Sequence, residues 1–185
     1  MQDIYDDIIT SRLVLRLIEE NIAEICLSGD LKTAGQMLGI TISEELLENI
    51  GFFEYGREQL KKDSLYRPWS ARAVILPEEK RMIGIIRFHS RPDPEHIHAY
   101  GRNAAELGYG IFTPYQRQGY ATEAVSAMMN WARQKFGTHR FLASVSPENK
   151  ASLRLVYSFG FTKVDEVMDE VDGMEHVFLK VIPKD

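Results

Sequence analysis

"PYQRQGYATEA", residues 114–124, gathers a proline, two glutamines, an arginine and a glycine into one short turn and runs directly into a helical pattern. Ala121, Ala124, Val125, Met128, Trp131, Ala132 and Phe136 recur at the spacing of one helix face, which predicts an amphipathic helix over 120–136. A helix start presents unpaired N–H groups and the positive end of the helix dipole, so a glycine turn feeding into one is a natural seat for phosphate. Gly119 lets the main chain come close to a ligand, and Ala121 keeps side-chain bulk away. The loop is not that of a nucleoside-triphosphate site, because Tyr120 and Ala121 follow Gly119 where a lysine and a Ser or Thr are needed. The three spaced glycines of a dinucleotide site are also missing.

On the N-terminal side of the turn, "AELGYGIF" (105–112) alternates Leu107, Tyr109 and Ile111 with Glu106, Gly108 and Gly110, the pattern of a strand. Two glycines inside it indicate a bulge or a close backbone approach. "HRFLASVS" (139–146) reads as the strand after the helix. A 17-residue helix between two strands implies that they run parallel. A short helix over 149–159 ends at Gly160, and "TKVDEVMDE" with "MEHVFLKVI" flank an Asp172-Gly173 turn, predicting a closing hairpin.

Toward the start, "TSRLVLRLI" (10–18) alternates as a strand, helices are expected over 19–32 and 43–62, and Ser43 is placed to cap the second. The stretch 69–90 predicts an antiparallel hairpin broken at Pro77–Lys80, followed by a loop over 91–103. The order is strand, two helices, three strands, helix, strand, helix, two strands. The expected fold class is α/β (α+β), a mixed and largely antiparallel sheet flanked by helices.

The 185 residues are expected to form one domain, 1–185. A net charge of −5 argues against nucleic acid as a partner, and no stretch approaches the ~20 apolar residues of a membrane span. Cys26 is the only cysteine, so an internal disulfide and a cysteine-based zinc site are excluded. His96 and His98 lack a convincing third ligand, and no metal is expected. The opening "MQDIYDDIITSRLVLR" lacks the features of a secretory signal, so the expected location is the cytoplasm.

Gln116-x-x-Gly119-x-Ala121, between a strand and a long helix, resembles the first signature of the GNAT superfamily of acyl-CoA-dependent N-acyltransferases. "ENKASLRLVYSFGF" (148–161) is similar to their second, and "TSRLVLR" with "ELGYGIF...GYATEA" resembles the Rim-type ribosomal-protein N-terminal acetyltransferases. The resemblance implies a central parallel strand pair that splays apart, with the pantetheine arm of acetyl-CoA in the gap and its pyrophosphate on the N–H groups of residues 117–122. The implied cofactor contacts are Ile111, Phe112, Thr113, Gln116, Arg117, Gln118, Gly119, Tyr120, Ala121, Thr122, Asn149 and Ser152. The implied partners are acetyl-CoA as co-substrate, an amine acceptor (a protein N-terminus or a small molecule) and a second copy in a homodimer.

Acetyl transfer needs a neutral amine, and a lysine-like amine with a pKa of ~10.4 is almost wholly protonated at pH 7, whereas a terminal α-amine lies at ~7.7–8.0. The resemblance makes Glu106 the candidate base, with a solvated strand-end residue as the plain alternative. Asp169 and Glu170 stand behind it. Many relatives donate a proton to the departing thiol from a tyrosine seven residues after the asparagine; here that place is Val156, and Tyr157 stands one further on. At ~100° per residue Asn149, Ser152 and Val156 share a helix face, so Ser152 is the candidate acid, unless Asn149 is a cap and Ser152 merely sits in the first turn. Glu123 is expected to steady the helix start. Met128, Met129 and Trp131 are expected in the core. Loss of the usual tyrosine leaves a rival reading, a non-catalytic acyl-CoA-binding domain.

Overall fold

The protein is described by a computed structural model over residues 3–169 and 173–183. Its strands are β1 (Ile8–Ile9), β2 (Val14–Leu17), β3 (Arg72–Leu76), β4 (Arg81–Phe88), β5 (Ala104–Ile111), β6 (Arg140–Val145), β7 (Thr162–Asp169) and β8 (Gly173–Val181). They form one sheet in the order β1-β2-β3-β4-β5-β6-β8-β7. Every neighbouring pair is antiparallel except β5 and β6, which are parallel as the crossover through α4 (Tyr120–Phe136) demands.

Alternation in the strands feeds two cores. On one face Leu15, Val74, Phe88, Leu107 and Phe141 pack against Val125, Met128 and Trp131 of α4 and Val156 of α5 (Lys150–Ser158). On the other, Ala73, Ile75 and Ile85 meet Ile22 and Cys26 of α1 (Glu20–Leu27), Leu38 of α2 (Leu31–Leu38) and Phe53 of α3 (Gly51–Lys62). Covered on both faces, β3 is buried along its whole length. Met128, Met129 and Trp131 are core residues as expected, each contributing ~1.5–3 kcal/mol by burial.

The N-terminal half departs from the sequence pattern. The helix expected over 19–32 stops at Leu27, the chain turns at Gly29 (φ 83°), and a further helix begins under the cap that Asp30 provides to the Thr33 N–H. Gly35 interrupts the helical pattern of α2, and packing demands it there, because a Cβ would stand 2.6 Å from the Ile40 carbonyl oxygen. Ser43 does cap, accepting from Glu45 N–H, but a 3-10 turn over Glu44–Asn49 precedes α3. Two more such turns occupy Ser64–Trp69 and Glu95–Tyr100, the latter inside the expected loop. Strand β1 was not foreseen. In the closing hairpin, Glu170 and Asp172 lie outside the described residues.

The parallel pair is short. β5 pairs with β6 only through Ala104↔Arg140, Ala105↔Phe141 and Glu106↔Leu142. Beyond Glu106, β5 keeps β4 alone (Leu107↔Phe88 to Ile111↔Gly84), while Ala143–Val145 of β6 keep β8 alone. The sheet therefore forks at Glu106, and the arms of the fork open toward the turn at 114–119. The two β5 glycines mark a close approach rather than a bulge in that strand. A Cβ on Gly108 would lie 2.7 Å from His89 Nε2 and one on Gly110 3.3 Å from Asn49 Oδ1, and the register shift falls between β3 and β4.

Candidate active site

At the mouth of the fork, Gly119 adopts φ 81°, the left-handed conformation that favours glycine, immediately before α4. Arg117 is left-handed too, at φ 61°. Side chains brace the turn from within: Gln116 Nε2 donates to the Ile111 carbonyl (2.9 Å) and Gln118 Nε2 to that of Pro114 (3.1 Å). Among the described residues, no protein group accepts a hydrogen bond from the N–H groups of residues 117–122. Arg117, Gln118, Gly119 and Thr122 are exposed, Tyr120 and Ala121 half-buried. Six clustered donors with no acceptor, at the positive end of a 17-residue helix, make an anion cradle.

The start of α4 is clamped to the N-terminal segment. Glu123 Oε1 accepts from Thr10 Oγ1 (2.6 Å), Ser11 Oγ (2.9 Å) and Arg12 N–H (2.9 Å), and Oε2 from Arg12 Nε (2.7 Å). Burial alone would raise this carboxyl, but these hydrogen bonds outweigh it and hold its pKa at about 2. Arg12 also donates to the Gln118 carbonyl (3.0 Å) and lies 4.6 Å from the centre of the Tyr120 ring. The expected steadying role of Glu123 thus takes the form of a four-donor clamp. A groove of about 960 Å³ runs from Arg12 and Gly119 along Thr122, Ser126 and Asn130.

Of the other implied contacts, Thr113 gives both its N–H (2.7 Å) and its hydroxyl (2.8 Å) to Glu45 Oε1, and Phe112 is buried in the core under α1–α3. Their main chain is engaged as well: Phe112 N–H donates to the Ile83 carbonyl (2.8 Å), and the Phe112 and Thr113 carbonyls accept from Tyr115 and Gln116 N–H.

Glu106 is the last β5 residue paired with β6 and projects on the face opposite Ala105 and Leu107, which belong to the core beneath α4. Its side chain is 13% exposed. Ser144 Oγ donates to Oε1 (2.6 Å) across the opening fork, and His89 Nδ1 lies 3.7 Å from Oε2. The same face carries Arg87, paired in register with Gly108, its guanidinium 4.0 Å from the centre of the Tyr55 ring. Gly108 leaves the room that His89 uses, since a Cβ there would lie 2.7 Å from His89 Nε2. Glu106 is therefore enclosed and hydrogen-bonded, not a solvated strand end. Its fallbacks stand apart: Asp169 ends the edge strand β7, with β8 between it and β6, and Glu170 is not described.

On the opposite face, Asn149 Oδ1 accepts from Ser152 N–H (3.0 Å), so Asn149 is the α5 cap. Ser152 Oγ is engaged as well, accepting from Tyr109 Oη at 3.1 Å. Val156 is buried and Tyr157 is 58% exposed, with its ring edge-to-face on Phe178. Sequence reasoning missed Tyr109, His89, Ser144 and Arg12. Strand alternation placed Tyr109 opposite Glu106, yet only the fold shows that it reaches α5.

A forked mixed sheet with an anion cradle at its mouth and a carboxylate at its apex defines an acyl-transfer fold. The chain belongs to the GNAT acetyltransferase family, whose domain model matches residues 12–162. Two uncharacterised N-acetyltransferases of Bacillus subtilis are similar to it. YnaD is 32% identical over 112 residues, 60% of this chain but only 54% of YnaD, and YoaA is 29% identical over 83% of this chain and 81% of YoaA. Among solved structures, ribosomal-protein-S5-alanine acetyltransferase from Vibrio fischeri shares the fold (TM-score 0.64, 18% identity, 95% of this chain and 96% of that one). So does RimL, the ribosomal L7/L12 α-N-protein acetyltransferase, solved with coenzyme A (TM-score 0.65, 18% identity, 96% and 98%).

Among the described residues no helix is long and apolar enough to cross a membrane, and no three of His, Cys, Asp and Glu cluster as metal ligands. His98 instead lies 3.3 Å from Asp93.

Proposed function

We propose that this chain transfers an acetyl group from acetyl-CoA to a primary amine by direct attack in a ternary complex, acting as one domain. One observation carries the reading: the fork places an enclosed carboxylate, Glu106, on one face and a hydroxyl, Ser152, on the other, with the amide cradle at its mouth. RimL holds coenzyme A on the same fold, which supports the choice of co-substrate.

The residues present fit that co-substrate. The N–H groups of residues 117–122 would bind its pyrophosphate, the groove beside Gly119 leaves space for the nucleotide end, and the unpaired edge of β5 beyond Glu106 offers main-chain groups to the pantetheine amides. The thioester supplies an activated acetyl carbon. Glu106 holds and deprotonates the incoming ammonium, directly or through one water, while Ser144 fixes its rotamer. Ser152 faces the leaving sulfur. The acceptor enters from the face of Tyr55, Arg87 and His89.

Purified protein incubated with acetyl-CoA and a panel of amines and N-terminal peptides should release free thiol. Binding of acetyl-CoA without thiol release across the panel would leave only a non-catalytic acyl-CoA-binding domain.

A further inference from the structure

Ser152 is a poor proton donor by itself. An aliphatic hydroxyl holds its proton far more tightly than a thiol, whose ordinary pKa is ~8.5, whereas a phenol at ~10 lies within about 1.5 units of that thiol. The helix that carries Ser152 offers no phenol to the fork. Val156 occupies the inward position one turn on, and Tyr157 points outward against Phe178.

A phenol arrives instead from the facing strand. Tyr109 lies on β5 three residues past the last β5–β6 pair, so its hydroxyl crosses the widened part of the fork to reach the first turn of α5. The register with β4 fixes its backbone opposite Ile86, and the ring packs against the core beneath α4. Gly108 and Gly110 on either side add no side chain. At the other end, the Asn149 cap pins the Ser152 main chain. Burial raises the Tyr109 pKa, against the lowering effect of its bond to Ser152, and so keeps the phenol protonated at neutral pH. Since Tyr109 donates to Ser152 Oγ, the serine's own proton is left to point elsewhere.

Resting on the acetyl-transfer reading above, we propose that Tyr109 is the proton source behind Ser152. As the acetyl C–S bond breaks and its electron pair passes to sulfur, Ser152 gives its hydroxyl proton to the thiolate and takes one from Tyr109 across their 3.1 Å hydrogen bond. The phenolate recovers a proton from water. The ammonium gives up two protons in becoming the amide, both leaving on the Glu106 side, and the thiolate takes up one, so the overall reaction releases one proton. Tyr109 touches no substrate; it is a relay and positioning residue.

The test is single-turnover acetyl transfer by Tyr109→Phe, Ser152→Ala and the double variant, with rates measured across mixtures of light and heavy water. Phe keeps the ring and its packing, and coenzyme A affinity measured by calorimetry should stay within about twofold of wild type. The expected result is a loss of at least ~10-fold in the Tyr109→Phe transfer rate, a double variant no slower than Ser152→Ala, and a curved dependence on heavy-water fraction that becomes linear in Tyr109→Phe. A Tyr109→Phe rate within twofold of wild type, a wild-type dependence that is already linear, or additive losses in the double variant would each overturn the relay while leaving acetyl transfer intact. A wild-type protein that releases no thiol removes both readings together.

Discussion

Replacing Glu123 by glutamine keeps the shape of the α4 clamp and removes its charge. The carboxyl titrates at about 2 against an ordinary 4.5, a difference that linkage converts, at 1.36 kcal/mol per unit, to about 3 kcal/mol. That figure is an upper bound, because the Arg12 side chain is 44% exposed and water screens its share. About 1–2 kcal/mol is expected at pH 7. A carboxyl with a depressed folded pKa stabilises fully above its unfolded value near 4.5 and loses that contribution as pH falls through its folded value of about 2. Urea unfolding of wild type and Glu123→Gln at pH 7, 5 and 3 reads this directly: a gap at pH 7, hardly changed at pH 5, and narrowed by roughly 60% at pH 3. Coenzyme A affinity should fall in parallel, because the clamp holds the helix start whose amides form the cradle. Equal stabilities at pH 7, or a gap that widens on acidification, would refute the argument.

Four further outcomes are expected. Gly119→Ala forces an L side chain to φ 81°, at a cost of ~1–2 kcal/mol, and should weaken coenzyme A binding in calorimetry more than it lowers the melting temperature suggests. Glu106→Gln should cut the acetyl-transfer rate by ~10²-fold or more with coenzyme A affinity unchanged, and the loss should shrink as pH rises toward the acceptor's own pKa. Gly84→Ala drives a Cβ to 2.3 Å from a backbone oxygen and should cost ~3 kcal/mol or more by urea unfolding. Gly108→Ala clashes with the end of the His89 ring and touches Arg87 Nε at an ordinary 3.7 Å, so its stability loss should stay under ~1 kcal/mol while the acceptor KM rises as His89 leaves Glu106.

What the sequence carried is what local physics carries. Helix 120–136 coincides with α4 because its apolar face, the preceding Gly119 and the closing Gly137 (φ 65°) all act within a few residues. The parallel pair followed from a connection length. The break between α1 and α2 at Ser28–Asp30 was illegible because it is set by how the two short helices bury their apolar faces against the sheet, which no local pattern reports. The site divided the same way. The cradle is local and was read from one turn, whereas Glu106 meets Ser144 across 38 residues, Tyr109 meets Ser152 across 43, and Glu123 meets Thr10 across 113. No periodicity reports such meetings.

The fork ties these long-range contacts into one chemical arrangement. Side chains alternate along β5, so Glu106 and Tyr109, three apart, project from opposite faces of the sheet. In a continuous sheet, strand β6 would stand between the two faces and no reacting atom could meet both groups. Because β6 leaves β5 after Leu142, the space between the arms is open to both, and an extended chain lying against the free edge of β5 would present its end to each side at once. In the proposed mechanism, deprotonation of the attacking amine and protonation of the departing sulfur would thereby be separated in space, Glu106 on one face and Tyr109 on the other. A sheet re-paired along the whole of β5 and β6 would retain every residue named here and lose the space that the proposed reaction needs.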